Sequence, residues 1–199
     1  MNKIIFILTL LATQIAFSQE QMYEVCPIKV GTEVPNTKLT NDKDEEVMLS
    51  AIIGDKPTVM IFYRGAWCGY CIQHLAELND MKEEMEKLGY RVIGITVDKA
   101  EKLTVSSKKA ESEIPVYSDA QLETIMAFGL DWKVDNTMYD KYKNEYKLDL
   151  EEWSGEVHHS LPVPAIFVVK DSTIEFQYVN PNYRTRLKAE TLLAVLKTF

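Results

Sequence analysis

The sequence predicts an α/β domain in which a central mixed β-sheet is covered by helices, and three stretches carry that prediction. Thr58-Val59-Met60-Ile61-Phe62-Tyr63 is apolar without alternation, the pattern of a strand buried on both faces. From Gly69 the pattern changes: Ile72, Leu75, Leu78, Met81, Met85 and Leu88 recur at helical spacing until Gly89, and residues 91–97 form the next buried strand. A strand–helix–strand unit of this kind implies a right-handed crossover between parallel strands. Residues 165–169 and 173–179, separated by Lys170-Asp171-Ser172, then read as a β-hairpin. Leu187, Leu192, Leu193, Val195, Leu196 and Phe199 follow as an amphipathic helix.

The remaining segments fall between these landmarks. Residues 1–18 combine Lys3, a short apolar run from Ile4 to Ala12, and the small residues Ala16 and Ser18, the three parts of a secretory signal peptide cut after Ser18. The apolar run is too short for a membrane span, which needs about 20 residues, and Cys26 lies too far along to be a lipid-attachment site. Removing the leader leaves 199 − 18 = 181 residues, one domain over 19–199. Residues 20–50 are polar and turn-rich, a lead-in with short strands. Residues 99–112 read as a helix, 114–119 as a short strand and turn, and 122–128 as a helix stopped by Gly129. Residues 130–159 show little periodicity and hold Trp132, Trp153 and several tyrosines, so they read as an insertion folded over the body.

Composition narrows the function. With 46% hydrophobic and 26% charged residues the chain is ordinary for a globular domain, and its net charge of −8 argues against nucleic acid as a partner. Three cysteines are too few for a disulfide-stapled scaffold. Export matters to them, because outside the cytoplasm a close cysteine pair is oxidised unless a donor keeps it reduced.

Cys68-Gly69-Tyr70-Cys71 stands where the strand at 58–63 ends and the helix begins. Free N–H groups and the helix dipole stabilise a thiolate at that point, and the thiolate is the reactive form. Cys71 lies about one turn on, within reach of the same sulfur. On this reading Cys68, nearer the helix tip, is the nucleophile and Cys71 resolves the mixed disulfide. Half of a zinc site, or a pair of inert thiols, are the competing readings. Zinc needs two more ligands, for which Cys26, His158 and His159 could be proposed, but no second paired spacing exists. No metal or other cofactor is expected.

The segment Phe62-Tyr63-Arg64-Gly65-Ala66-Trp67-Cys68-Gly69-Tyr70-Cys71 resembles the active-site segment of the thioredoxin-like superfamily, and most closely its peroxiredoxin-like AhpC/TSA (redoxin) branch. Residues 161–169 and 178–186 share the likeness, which runs from about Gly31 to the C-terminus and is weakest over 130–160. The resemblance implies a thioredoxin fold with the insertion placed before a cis-proline strand. It implies a cis Val163–Pro164 bond beside the cysteines (Pro162 being the alternative), with neighbouring backbone free to pair with a substrate peptide. Two departures stand out. Thioredoxins carry a buried aspartate six residues before the first cysteine, where this chain has Phe62. Peroxiredoxins carry Pro-x-x-x-Thr/Ser-x-x-Cys; laid on Cys71, the proline position holds Arg64 and the hydroxyl position holds Cys68.

Arg64 is a candidate thiolate stabiliser or, equally, a surface residue at the strand end; Trp67, an apolar wall beside Cys68, joins Val163 and Pro164 as a substrate-positioning candidate. Arg186 resembles a family arginine near the active site, Asp98 could carry a proton, Cys26 could be a third redox partner and His158-His159 could shuttle protons; the plainer readings are a surface cation, a cap for the next helix, a small buried residue and solvated loop residues. The tyrosines of 139–146 either pack the insertion or shape a groove. The reading is therefore an exported, periplasmic or otherwise extracytoplasmic thiol–disulfide oxidoreductase. It acts on a protein or small-molecule disulfide and is recycled by a redox partner, with no membrane span after cleavage of the leader. The alternatives are a thiol-dependent peroxidase with an antioxidant role, taking a hydroperoxide, and a non-enzymatic thioredoxin-fold binding module.

Overall fold

The computed structural model describes residues 24–199; the leader at 1–18 and the domain boundary at residue 19 lie outside the described residues. Continuous burial puts β3 (Thr58–Phe62) at the centre of a seven-stranded sheet, every residue of it enclosed. It pairs in parallel with β4 (Arg91–Thr96), which pairs in parallel with β5 (Val116–Ser118). On its other side β3 pairs antiparallel with β8 (Ala165–Lys170), and β8 with β9 (Thr173–Val179). The lead-in supplies β1 (Lys38–Thr40) and β2 (Glu46–Met48), giving the order β2-β1-β5-β4-β3-β8-β9. The sheet is mixed, as the sequence predicts.

Helices cover it: α1 (Leu49–Ile53), α2 (Gly69–Asp80), α3 (Lys82–Lys87), α4 (Leu103–Ala110), α5 (Glu123–Ala127) and, after β9, α8 (Ala189–Leu196). Alternation along β3 divides the core. Met60 and Phe62 join Phe128 and Phe167 on one face, where the three rings pack at centroid distances of 4.9–5.7 Å. Val59, Ile61 and Tyr63 join Leu75, Leu78, Met85, Leu192 and Leu196 on the other. Phe62 therefore occupies solid core, and the position cannot hold a carboxylate.

The helix expected over 69–88 is two helices. At Met81, φ −103° and ψ 3°, the chain leaves the helical path. The break is anchored by Asn79, whose Oδ1 accepts from the Ser112 hydroxyl at 3.2 Å and from the Glu113 N–H at 2.9 Å. The helix expected over 99–112 likewise begins as a 3-10 turn, Ala100–Lys102, before α4.

The insertion is more ordered than its sequence suggests. It holds β6 (Asp131–Lys133), α6 (Asn136–Asn144), α7 (Leu150–Ser154) and β7 (Ser160–Pro162), with β6 and β7 pairing antiparallel as a small second sheet. These elements are too short to show a period; Trp132, Tyr142 and Leu150 bury them against the main core. No peptide bond among the described residues is cis, so the cis Val163–Pro164 expectation is corrected. The chain runs extended from β7 straight into β8, with the Val163 N–H bonded to the Leu130 carbonyl at 2.8 Å. The trans isomer, favoured for X–Pro by about 0.5–1 kcal/mol, fits that path. Among the described residues no helix is long and apolar enough to cross a membrane.

Candidate active site

Beyond Phe62 the chain leaves the sheet and turns sharply before α2. Gly65 has φ +151°, and a Cβ there would collide with the Trp67 indole and with Asp98 Oδ1, so only glycine lets the loop lie this close to β4. The Cys68 N–H donates to the Gly65 carbonyl at 3.1 Å, and Cys68 becomes the N-cap of α2. Its carbonyl accepts from the N–H groups of Cys71 and Ile72 at 2.9 and 3.0 Å. No acidic residue occupies the first turn, so the positive end of the helix acts on the sulfur unopposed.

Both cysteines are free thiols and both are enclosed, Cys68 at 4% exposure and Cys71 at 2%. Three residues apart, they titrate in opposite directions. The Cys71 thiol, hydrogen-bonded to Cys68, brings the Cys68 pKa down to about 6; burial opposes this, and the charges of Arg64 and Arg186 add to it. Burial pushes the Cys71 thiol up, and its hydrogen bond to Cys68 pushes it further. At neutral pH the pair holds one thiolate at the helix tip and one thiol behind it, the arrangement that nucleophilic sulfur chemistry needs.

Arg64 is buried and does not lie at the surface. Burial works against its charge and the Cys68 thiolate sustains it. Its guanidinium lies over the Tyr183 ring at 4.0 Å and the Trp67 ring at 4.9 Å, while Nε and Nη1 make no hydrogen bond. Arg186, read as a surface cation, instead reaches inward and donates from Nη2 to Cys71 Sγ at 3.5 Å. The loop between β9 and α8 turns it there. The next residue, Leu187, is tied to α2 by the buried His74 ring at 2.9 Å. Burial pushes the His74 pKa down to about 4, so it stays neutral.

Asp98 does not cap the following helix. Fully buried at the end of β4, it accepts at Oδ2 from the Ala66 N–H at 2.7 Å and so holds the 64–67 loop. The Trp67 indole N–H lies close enough to lower its pKa, but without the geometry of a full hydrogen bond, leaving Oδ1 and Nε1 unpaired. Burial dominates and raises the Asp98 pKa to about 7. The Lys109 ammonium donates to the Ala66 carbonyl at 3.0 Å from the other side. Asp98 is thus the buried carboxylate of this site, just beyond β4 rather than at the Phe62 position.

Other candidates separate from the pair. Pro164 stands level with the start of the active-site loop, because Ala165 pairs with Phe62, and Val163 is buried with its N–H taken by Leu130. His158 is held by the Ala120 carbonyl and the Ser160 N–H, and His159 by Glu151 at 2.7 Å and the Tyr139 ring stacked at 3.7 Å; both are structural. Cys26 is exposed rather than buried, since its backbone rather than its sulfur packs against Gly129. Among the described residues no group of three or more His, Cys, Asp and Glu side chains could hold a metal ion. Two residues of the site are not singled out individually by the sequence. Tyr142 of α6 packs 6.2 Å from the Trp67 ring, and Tyr183 covers Arg64 while meeting the Tyr70 ring edge-on at 5.9 Å.

Known proteins share this plan. The chain matches the AhpC/TSA family over residues 30–177. It is 28% identical over 134 residues to peroxiredoxin Bcp of Escherichia coli strain K12, covering 67% of this chain and 85% of that protein. The fold is similar to peroxidoxin BcpB of Mycobacterium tuberculosis, with TM-score 0.65 and 19% identity over 86% of this chain and 97% of that one. Reduced Prx3 of Vibrio vulnificus gives TM-score 0.69 and 16% identity over 85% and 99%. Because the family match reaches from the lead-in into β9 and encloses the cysteine pair, the chain belongs to the AhpC/TSA family and is a thiol-dependent oxidoreductase of the peroxiredoxin type.

Proposed function

We propose that the chain is a thiol-dependent peroxidase in which Cys68 attacks and Cys71 resolves. The Cys68 thiolate attacks one oxygen of a hydroperoxide, the O–O bond breaks, and Cys68 becomes a sulfenic acid while the other oxygen leaves, protonated, as water or an alcohol. The Cys71 thiol then attacks the sulfenic sulfur, releasing water and closing a Cys68–Cys71 disulfide. A dithiol partner reduces it.

The observation that carries this reading is Arg64. Peroxiredoxins, by the motif laid on Cys71, use a hydroxyl where this chain has Cys68. Arg64 supplies two buried N–H groups with no partner beside the thiolate, donors suited to a peroxide oxygen and to the charge that develops on the leaving one. The relatives named peroxiredoxin support the same reading.

A second reading, thiol–disulfide exchange, is favoured by Trp67-Cys68-Gly69-Tyr70-Cys71 itself. Against it, the Val163 N–H that a docked peptide would use is held by Leu130, β7 is already paired with β6, and Cys68 is 4% exposed. The leader at 1–18 supports an exported, periplasmic protein whose mature domain begins at residue 19; N-terminal sequencing of the secreted protein tests this.

Peroxide consumption and insulin reduction, measured on wild type, Cys68→Ser and Cys71→Ser, test the main reading. The expected result is peroxide turnover in wild type, lost with Cys68→Ser, and a sulfenic acid trapped on Cys68 in Cys71→Ser. Insulin reduction without peroxide turnover would establish the second reading. Turnover that survives in Cys68→Ser and vanishes in Cys71→Ser would move the attack to Cys71.

A further inference from the structure

The insertion does more than cover the sheet: it brings Tyr142 beside Trp67 and into the field of Arg64 and Cys68. Its frame is fixed from within. The β6–β7 pairing ties its two ends together. The Asp135 carboxylate caps α6 by accepting from the Met138 N–H at 2.8 Å. Asp149 accepts from Tyr139 at 3.2 Å and pairs with Lys143 at 2.8 Å. From this frame α6 points Tyr142 inward, 9% exposed, against the Trp67 ring, with its hydroxyl in the field of both Arg64 and Cys68. Tyr183 lies on Arg64, and Tyr70 lies edge-on to it. The Cys68 sulfur has little open surface, and the Cys71 thiol, the charges of Arg64 and Arg186 and the Tyr142 hydroxyl act on it.

Rigid aromatic side chains exclude by volume, because they cannot fold away as a methionine or lysine can. A hydroperoxide that reaches Cys68 brings its O–O bond to the sulfur and Arg64, beside the Trp67 and Tyr142 rings. We propose that Tyr142 and the insertion behind it set the size of the hydroperoxide the site takes, admitting hydrogen peroxide and short unbranched alkyl hydroperoxides and excluding those with a ring or branched tail at the peroxide carbon. This rests on the peroxidase reading. Tyr142 acts as a specificity residue through its ring; its hydroxyl is dispensable for the selection.

The test compares kcat/KM for hydrogen peroxide and for cumene hydroperoxide in wild type, Tyr142→Phe, Tyr142→Leu and Tyr142→Ala, each checked for native circular dichroism. In parallel, the rates at which iodoacetamide and the bulkier N-phenylmaleimide label Cys68 are read by peptide mass spectrometry. Wild type is expected to favour hydrogen peroxide. Tyr142→Ala raises the cumene-to-hydrogen-peroxide ratio about tenfold, Tyr142→Leu raises it less, and Tyr142→Phe leaves the ratio as it was. The label ratio moves in the same order. An equal ratio in wild type and Tyr142→Ala for both the peroxides and the labels overturns the size filter while leaving the peroxidase reading intact. Failure of every form to consume either peroxide overturns the peroxidase reading, and the labels then still decide whether Tyr142 screens Cys68 by size. The wild-type label rates need no variant to fold: if N-phenylmaleimide, corrected for its reaction with a free thiol, reaches Cys68 as readily as iodoacetamide does, no filter exists.

Discussion

The middle of the sheet and the carboxyl end of its two central strands are built to opposite rules. Across the middle, β3 and β8 pair residue for residue, and Phe62, Phe128 and Phe167 fill the space above them with nothing polar to satisfy. A few ångströms further along, β3 and its parallel neighbour β4 lead into Arg64, Trp67 and Asp98. These hold four of the six buried side-chain polar atoms that lack a hydrogen bond among the described residues. Buried polar groups are nearly always paired, so four unpaired ones on this loop and the carboxylate that holds it mark a region kept ready for something other than stability. Apolar packing supports the loop, and the loop carries the chemistry.

That contrast can be broken most forcefully from the apolar side. Phe167→Ala removes a ring wedged between two others and should lower stability by about 3–5 kcal/mol in denaturant unfolding. In the folded fraction the pH midpoint for Cys68 alkylation should stay near 6. A moved midpoint would mean that core and site are not separable.

Asp98→Asn probes the polar side with a smaller effect. The folded-state pKa of Asp98, about 7, lies above the unfolded value near 3.9. The folded chain therefore binds the proton more tightly, and this group's contribution to stability is full below about pH 4 and declines as pH rises to about 7. Relative to wild type, Asp98→Asn should gain on the order of a few kcal/mol between pH 4 and pH 7 and then level off. Parallel stability curves for the two proteins would place the Asp98 charge in a better environment than its burial implies.

Arg64→Leu gives the smallest change and the sharpest reading. Without the guanidinium the Cys68 midpoint should rise by about one unit, slowing alkylation at pH 6 roughly fivefold. Global stability should hold or improve, since two unpaired buried donors disappear with it. Loss of stability together with an unmoved midpoint would reduce Arg64 to a packing residue.

Much of this was legible in the residues. Unbroken apolar runs announced β3 and β4, the hairpin turn announced β8 and β9, and the position of Cys68 between strand and helix announced the thiolate. What stayed hidden was long-range. Arg186 lies 115 residues from the sulfur it touches, and no local pattern separates it from the neighbouring Arg184, which stays exposed. Tyr142 was one tyrosine among several in an aperiodic stretch, and short helices such as α7 carry too few residues to reveal which face is buried. Asp98 resembled a cap because it follows a strand, but the backbone it serves belongs to the loop before α2, 32 residues earlier.

The clasp at Asn79 has a further consequence for how the chain opens. Its amide joins the end of α2 to the segment that enters β5, linking the β3-to-β4 crossover with the β4-to-β5 crossover. Two connections sharing such a link, over strands that are themselves hydrogen-bonded neighbours, form one cooperative unit. Amide protons of β3, β4, β5 and α2 should exchange with solvent deuterium through a common opening event, while those of the peripheral β1–β2 pair exchange sooner and independently.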